Sequence, residues 1–222
     1  MPIFFQQDID DSTRLAVWQI AEDEDFFLQH VPLQRDITHP HKRLQHLAGR
    51  YLLQYLFPDF PINLIKIADT RKPYLEDEAY HFSISHCSNY AAAIVSKNKR
   101  VGVDIEVPTP KVEKIKHKFL HEEEQKAISK ERQTASDVQE IETNPKSQTP
   151  NPKLTLLWSC KEAVFKWWSY GNVDFSEMIR IEPFRMSQQG IIDSRFVSET
   201  EAIPLTLHYR LFEAICLVWV VR

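Results

Sequence analysis

The stretch Val101-Gly-Val-Asp-Ile-Glu106 alternates apolar residues with small or acidic ones, the period of two that marks a half-buried strand. Alternate side chains on a strand share a face, so Asp104 and Glu106 point the same way, about 6–7 Å apart along the backbone. Two carboxylates on one face repel unless a cation stands between them. Gly102, on that same face, leaves room for a close approach. Two hard oxygen ligands beside an open space suit Mg²⁺, which takes one or two carboxylates plus waters and substrate phosphates. The plainer reading is a solvated face on an edge strand. The rest of the chain has to decide between the two.

The 222 residues suffice for one large domain or two small ones with a real core. Hydrophobic residues make up 43% and charged residues 26%, an ordinary balance for a soluble globular protein. A net charge of −4 excludes a chain-wide basic field for nucleic acid, so an anionic substrate needs a local cluster of cations. Cys87, Cys160 and Cys216 are odd in number and lack CxxC spacing. That argues against a disulfide framework or structural zinc and fits a reducing cytoplasm. The N-terminus lacks the basic region and long apolar stretch of a signal peptide. The longest apolar run, 214–221, is too short to span a bilayer, so no membrane is expected.

Periodicity predicts strands over 3–5, 15–20, 64–68, 82–87 and 90–95, then the 101–106 strand. Further strands are expected over 178–184, 190–196, 205–211 and 214–221. Helices are expected from Glu22, over His39–Phe57, over 112–129, and over 154–170 with Gly171 as C-cap. Hairpin-linked strands with helices between them predict an α+β fold. Each half offers helices and about three strands, which gives two α+β subdomains, 1–100 and 101–222, meeting near residue 100. The polar stretch 130–153, with three prolines and no aromatic residue, reads as a mobile insertion.

The second informative stretch is Trp158-Ser-Cys-Lys-Glu-Ala-Val-Phe-Lys166. On a helix Glu162 and Lys166 are neighbours at i and i+4, Trp158 borders their face, and Lys161 projects about 100° away. A surface ion pair is the plain reading. Against it, Leu156, Leu157, Val164, Phe165, Trp167 and Trp168 surround the charges, and buried charges need partners. A third carboxylate beside two lysines is what a metal–pyrophosphate site requires. Ser85-His86 ends a strand, where both side chains can donate to phosphate oxygens. Adjacent strand residues face opposite ways and no GxSxG elbow is present, so a serine hydrolase is disfavoured. Arg43 and Arg50, two turns apart, lie near one face of their helix. The other histidines show no ligand spacing such as HExxH.

Lys72-Pro-Tyr74, Phe82-Ser-Ile-Ser-His86, Val101-Gly-Val-Asp-Ile-Glu106 and Trp158-Ser-Cys-Lys-Glu-Ala-Val-Phe-Lys166, in that order, resemble the 4′-phosphopantetheinyl transferases. The match is to the longer, single-chain class that activates carrier proteins of peptide, polyketide and fatty-acid synthases. It extends from about Arg43 to Lys166. The resemblance implies a monomer of two similar α+β halves, with coenzyme A in the cleft between them. Coenzyme A would donate phosphopantetheine to a serine of an acyl or peptidyl carrier protein, releasing adenosine 3′,5′-bisphosphate. It implies Asp104, Glu106 and Glu162 as ligands of Mg²⁺ (Mn²⁺ being acceptable), and Lys161, Lys166, His86 and Ser85 on phosphate oxygens. Lys72 and one of Arg43 and Arg50 would hold the nucleotide. The base would be a glutamate of Lys118-Phe-Leu-His-Glu-Glu-Glu124; Glu124 matches best, although Glu122 and Glu123 blur the register. Lys111, Lys114, Lys116 and Lys118 are candidates for docking an acidic carrier protein. A non-catalytic binding module of the same fold and a metal-dependent phosphohydrolase are the alternatives.

Overall fold

The computed structural model describes residues 3–136 and 151–222. Its elements are β1 (Ile3–Asp10), β2 (Thr13–Gln19), α1 (Glu24–Leu28), α2 (Pro40–Leu56), β3 (Lys66–Ile67), β4 (Pro73–Tyr74), β5 (His81–Cys87), β6 (Tyr90–Ser96) and β7 (Val101–Glu106), followed by α3 (Lys111–Ile115), α4 (Glu122–Ser136), α5 (Pro152–Trp168), β8 (Ile179–Ile181), β9 (Gln189–Val197), β10 (Ala202–Leu211) and β11 (Cys216–Val221). The mixed α+β class expected from the pattern is what forms. Strand order is β1-β2-β6-β5 in the first sheet and β7-β11-β10-β9-β8 in the second, with every pairing antiparallel.

Alternation along the strands sorts the side chains into layers. Leu15, Val17, Ala92 and Ile94 of the first sheet meet Val101, Val103, Ile105, Leu217 and Trp219 of the second in a shared core. The opposite face of the first sheet, including Ala16, Trp18, Ala91 and Ala93, packs beneath Leu47, Leu52, Leu53 and Leu56 of α2. The opposite face of the second, including Cys216, Val218 and Val220, packs beneath α5. One long helix therefore lies on the outer side of each sheet.

Helix ends follow local chemistry. Pro40 and Pro152 occupy the first turns of α2 and α5, where a missing N–H costs nothing. Asn151 caps α5 by accepting from Lys153 N and Leu154 N. At its other end α5 stops two residues before the expected Gly171, at Ser169, whose φ of +74° is left-handed. Lys72 from the opposite half supplies the reason, donating to Lys166 O at 2.6 Å and to Ser169 Oγ. A carbonyl left over by the helix is thereby satisfied.

Other expectations also need correction: the strand over 178–184 is only β8, Ile179–Ile181. The 64–68 strand shrinks to β3 because a 3₁₀ turn, Ile62–Leu64, consumes its start. The single helix over 112–129 is α3, a 3₁₀ turn over Lys116–Lys118, and α4. Phe119 and Leu120 break it by turning into the core, and His121 then starts a new helix: its Nδ1 accepts from Glu123 N while Glu124 accepts from His121 N. The two bonds satisfy amides that the first turn of α4 would otherwise leave without acceptors. The insertion expected over 130–153 is helical at 130–136 and at Pro152–Lys153; its remainder, up to residue 150, lies outside the described residues.

Candidate active site

The 101–106 strand is an edge of its sheet, yet its acidic face is not solvated. Asp104 is 2% exposed. The face is covered by α5, which comes so near at Gly102 that an added Cβ would lie 2.1 Å from Ala163 O and 2.8 Å from Trp167 N. The close approach that this glycine permits is thus made by a helix backbone, and it presses Glu162 and Lys166 toward the strand.

Lys166 Nζ lies 2.6 Å from Asp104 Oδ1, and Ser85 Oγ donates to the same oxygen at 2.9 Å while accepting from Lys166 Nζ at 2.8 Å. Lys166 therefore pairs with a carboxylate 62 positions away in the chain, and Glu162, its helix neighbour, stands close by. Asp104 Oδ2 is buried and has no hydrogen-bond partner among the described residues. Glu106 accepts from Trp158 Nε1 at 3.4 Å, and Trp158 is itself held edge-on by Phe119 and stacked by Phe175.

Electrostatics report the crowding of acids. Burial, opposed by Lys166 but reinforced by Asp104 and Glu106, pushes the Glu162 carboxyl up to about 7. Burial and then Asp104 raise Glu106 as well. Burial, followed by Glu106 and Asp104, pushes the Cys87 thiol up to about 12. Among the described residues no three His, Cys, Asp or Glu side chains close into a ready metal-holding group. The cation nearest Asp104 is the Lys166 ammonium.

The other expected residues divide. Lys161 faces away from Asp104 and is fully buried; its three donors go to Glu124, at 2.8 Å, to Phe175 O, at 3.0 Å, and to Ile179 O. No donor is left for a phosphate oxygen. Glu124 is saturated too, accepting from Lys161 and from the Ile181 and His121 amides. Arg43 binds Glu24 through two nitrogens and Ile37 O through a third, which ties α1 to α2. Arg50 is 5% exposed, donates to Gln34, and is lowered to about 10 by burial and then by Arg35. Burial, then Arg50, Arg35 and His86, hold His46 down to about 3, and its buried Nε2 has no hydrogen-bond partner among the described residues. The surroundings of His86, then Lys166, hold that imidazole below its ordinary value. Arg35 acts on His46, Arg50 and His86 alike, so the two guanidiniums carry the positive charge here while burial disfavours the charged form of both imidazoles. Sequence reading missed Arg35 and set His46 aside, because nothing in their spacing relates them to His86.

Two cavities share Lys72, Pro73, Phe82 and Ser169. One of about 240 Å³ reaches Tyr80, Arg100 and Tyr170; the other, of about 210 Å³, reaches Ser83, Phe165 and Lys166. A larger one, about 290 Å³, lies against Glu124, Leu157 and Arg180 instead.

Residues 100–209 match the family model described as the 4′-phosphopantetheinyl transferase superfamily. Two curated relatives are both named enterobactin synthase component D. The one from Salmonella austin is 30% identical over 168 residues, covering 75% of this chain and 59% of the relative. The one from Salmonella typhi is 30% identical over 169 residues, with the same two shares. The chain thus spans about three fifths of the length of these relatives.

Proposed function

We propose that the chain, whose residues 100–209 match the 4′-phosphopantetheinyl transferase superfamily model, is a member of that superfamily and transfers phosphopantetheine from coenzyme A to a serine of an acyl or peptidyl carrier protein. In that reaction the serine oxygen forms a bond to the phosphorus that bears the pantetheine. The pyrophosphate P–O bond breaks, and adenosine 3′,5′-bisphosphate leaves with the electron pair. The observation that carries the reading is Asp104: a buried carboxylate held by Ser85 and Lys166 through one oxygen, with the other oxygen unpartnered and Glu106 and Glu162 alongside.

An oxygen-only donor set of this kind suits Mg²⁺, and Mn²⁺ equally. Asp104, Glu106 and Glu162 would hold the ion, which when bound neutralises charge building on the pyrophosphate. Lys166, 23% exposed in its side chain, is placed to bind a phosphate oxygen in exchange for Asp104. Ser85 keeps the Asp104 carboxylate oriented while Lys166 moves. Arg50 and Arg35 supply the positive field for the nucleotide's phosphates, and His86 a neutral ring N–H donor beside Lys166. The two cavities around Lys72 give the coenzyme its room, and two subdomains, 1–100 and 101–222, would flank it. Lys161 and Glu124 are left out of the phosphate-binding and proton-accepting roles, since their hydrogen bonds are already spent on each other and on the backbone. The three cysteines are free, as a reducing cytoplasm would keep them.

The test is intact-protein mass spectrometry of an apo acyl carrier protein incubated with this protein, coenzyme A and Mg²⁺. The expected result is a gain of one phosphopantetheine, lost on chelation. Coenzyme A binding with no gain across several carrier proteins would overturn the transferase in favour of a non-catalytic module.

A further inference from the structure

The two sheets meet edge to edge beside Asp104. β5 closes the first sheet and β7 the second, and no backbone ladder joins them among the described residues, although the strands lie in close contact. Serine hydroxyls cross the seam instead. Ser83 Oγ accepts from Val103 N at 3.1 Å, and Ser85 Oγ donates to Asp104 Oδ1 at 2.9 Å. Two positions apart on a strand, the serines share a face. That face is the interior one, with Ser83 3% and Ser85 7% exposed, whereas Phe82 and Ile84 point to the core beneath α2. β5 therefore aims hydroxyls inward, where alternation alone would place them in solvent.

The reason lies on β7. Its inner edge pairs with β11, so Val103 N–H, on the free edge, has no ladder partner. A buried amide without an acceptor is costly, and Ser83 removes that cost. Ser83 holds the backbone one residue before Asp104, and Ser85 holds the Asp104 carboxylate itself. Between them, backbone and side chain are both fixed against the first sheet.

We propose that Ser83 is a positioning residue: with Ser85 it forms a two-point clasp that registers β7 against β5 and sets where Asp104 stands relative to Lys166. Without Ser83 the strand edge shifts or frays, and Asp104 no longer meets Ser85 and Lys166 in one arrangement. The consequence for metal affinity rests on the transferase reading; the clasp itself does not.

The test compares Ser83→Ala with Ser96→Ala. Ser96 is a buried serine of β6 that bonds Thr13 Oγ1, and its loss also removes a buried hydroxyl. The first readout is amide hydrogen exchange at Val103, measured without ligands. The second is affinity for Mn²⁺, used as the probe ion and followed by its electron paramagnetic resonance. In Ser83→Ala, exchange at Val103 should quicken at least about 10-fold and Mn²⁺ affinity should fall about 10-fold, the usual scale for residues that orient a ligand. Ser96→Ala should change neither, and Ser83→Thr should restore both. Should Ser83→Ala fail to fold, Ser83→Cys, with its weaker acceptor, should give the same changes at smaller size. Unchanged exchange at Val103, or equal Mn²⁺ losses in the Ser83 and Ser96 variants, overturns the clasp. Absence of Mn²⁺ binding in the parent protein overturns the metal reading instead, and Val103 exchange still decides the clasp.

Discussion

Lys161 and Lys166 leave the same helix five residues apart and meet carboxylates of opposite character. The Lys161–Glu124 pair is sealed, with side chains 0% and 8% exposed and the hydrogen bonds of both partners complete. The Lys166–Asp104 pair is open: the lysine reaches solvent, and one oxygen of the aspartate is idle. A saturated ion pair has nothing to offer a ligand and serves to lock elements together, here α4, α5 and the approach to β8. An unsaturated one keeps binding capacity in reserve, at a cost in stability. Burial of charge alone therefore does not mark a functional lysine; an unfilled valence beside it does.

The contrast can be broken from either side. The largest effect is expected for Lys161→Met, which strands Glu124 in the interior. Stability should drop by about 3–5 kcal/mol, read as a lower denaturant midpoint. Asp104→Asn removes a charge from the open pair while keeping its shape. Phosphopantetheine transfer should fall about 100-fold or more, with the thermal transition unchanged or raised. An Asp104→Asn protein that is unfolded, or a Lys161→Met protein as stable as its parent, would invert the comparison. Gly102→Ala should cost both properties, about 1–3 kcal/mol of stability and a proportionate loss of transfer. Its Cβ would press on the backbone of the helix that carries Glu162 and Lys166.

The smallest effect lies in the pH dependence. Because Glu162 is raised in the folded state to about 7 from an ordinary 4.5, the native protein holds its proton more tightly than the unfolded chain does. Its contribution is complete below about pH 4.5 and is lost as pH rises toward 7. Glu162→Gln should flatten that decline in a series of urea titrations between pH 5 and 8. An equal slope in parent and variant would show that Glu162 titrates normally.

Much of this was legible in local patterns. The alternation of 101–106 placed Asp104 and Glu106 on one face, and the apolar surroundings of Glu162 and Lys166 announced that their helix is buried. The helix expected over His39–Phe57 forms as α2, Pro40–Leu56. What local pattern could not supply was partner choice. Glu162 and Lys166 are neighbours by helix geometry, yet Lys166 bonds to Asp104. Lys161 resembles a ligand-binding lysine in sequence and is a structural one in space. Ser83, Arg35 and His46 carry no local pattern that relates them to the site.

By itself, then, the sequence determined the secondary elements with inward-facing stripes, the class of fold, and the residue types able to bind a phosphate and a divalent cation. Those follow from backbone periodicity and side-chain chemistry, which act over a few residues. Only the tertiary structure decided which lysine is sealed and which is open, that a strand edge is covered by a helix at Gly102, and that serines join the two sheets. Those outcomes depend on the burial of one element by another far along the chain, because desolvation makes an unmet hydrogen bond or charge costly.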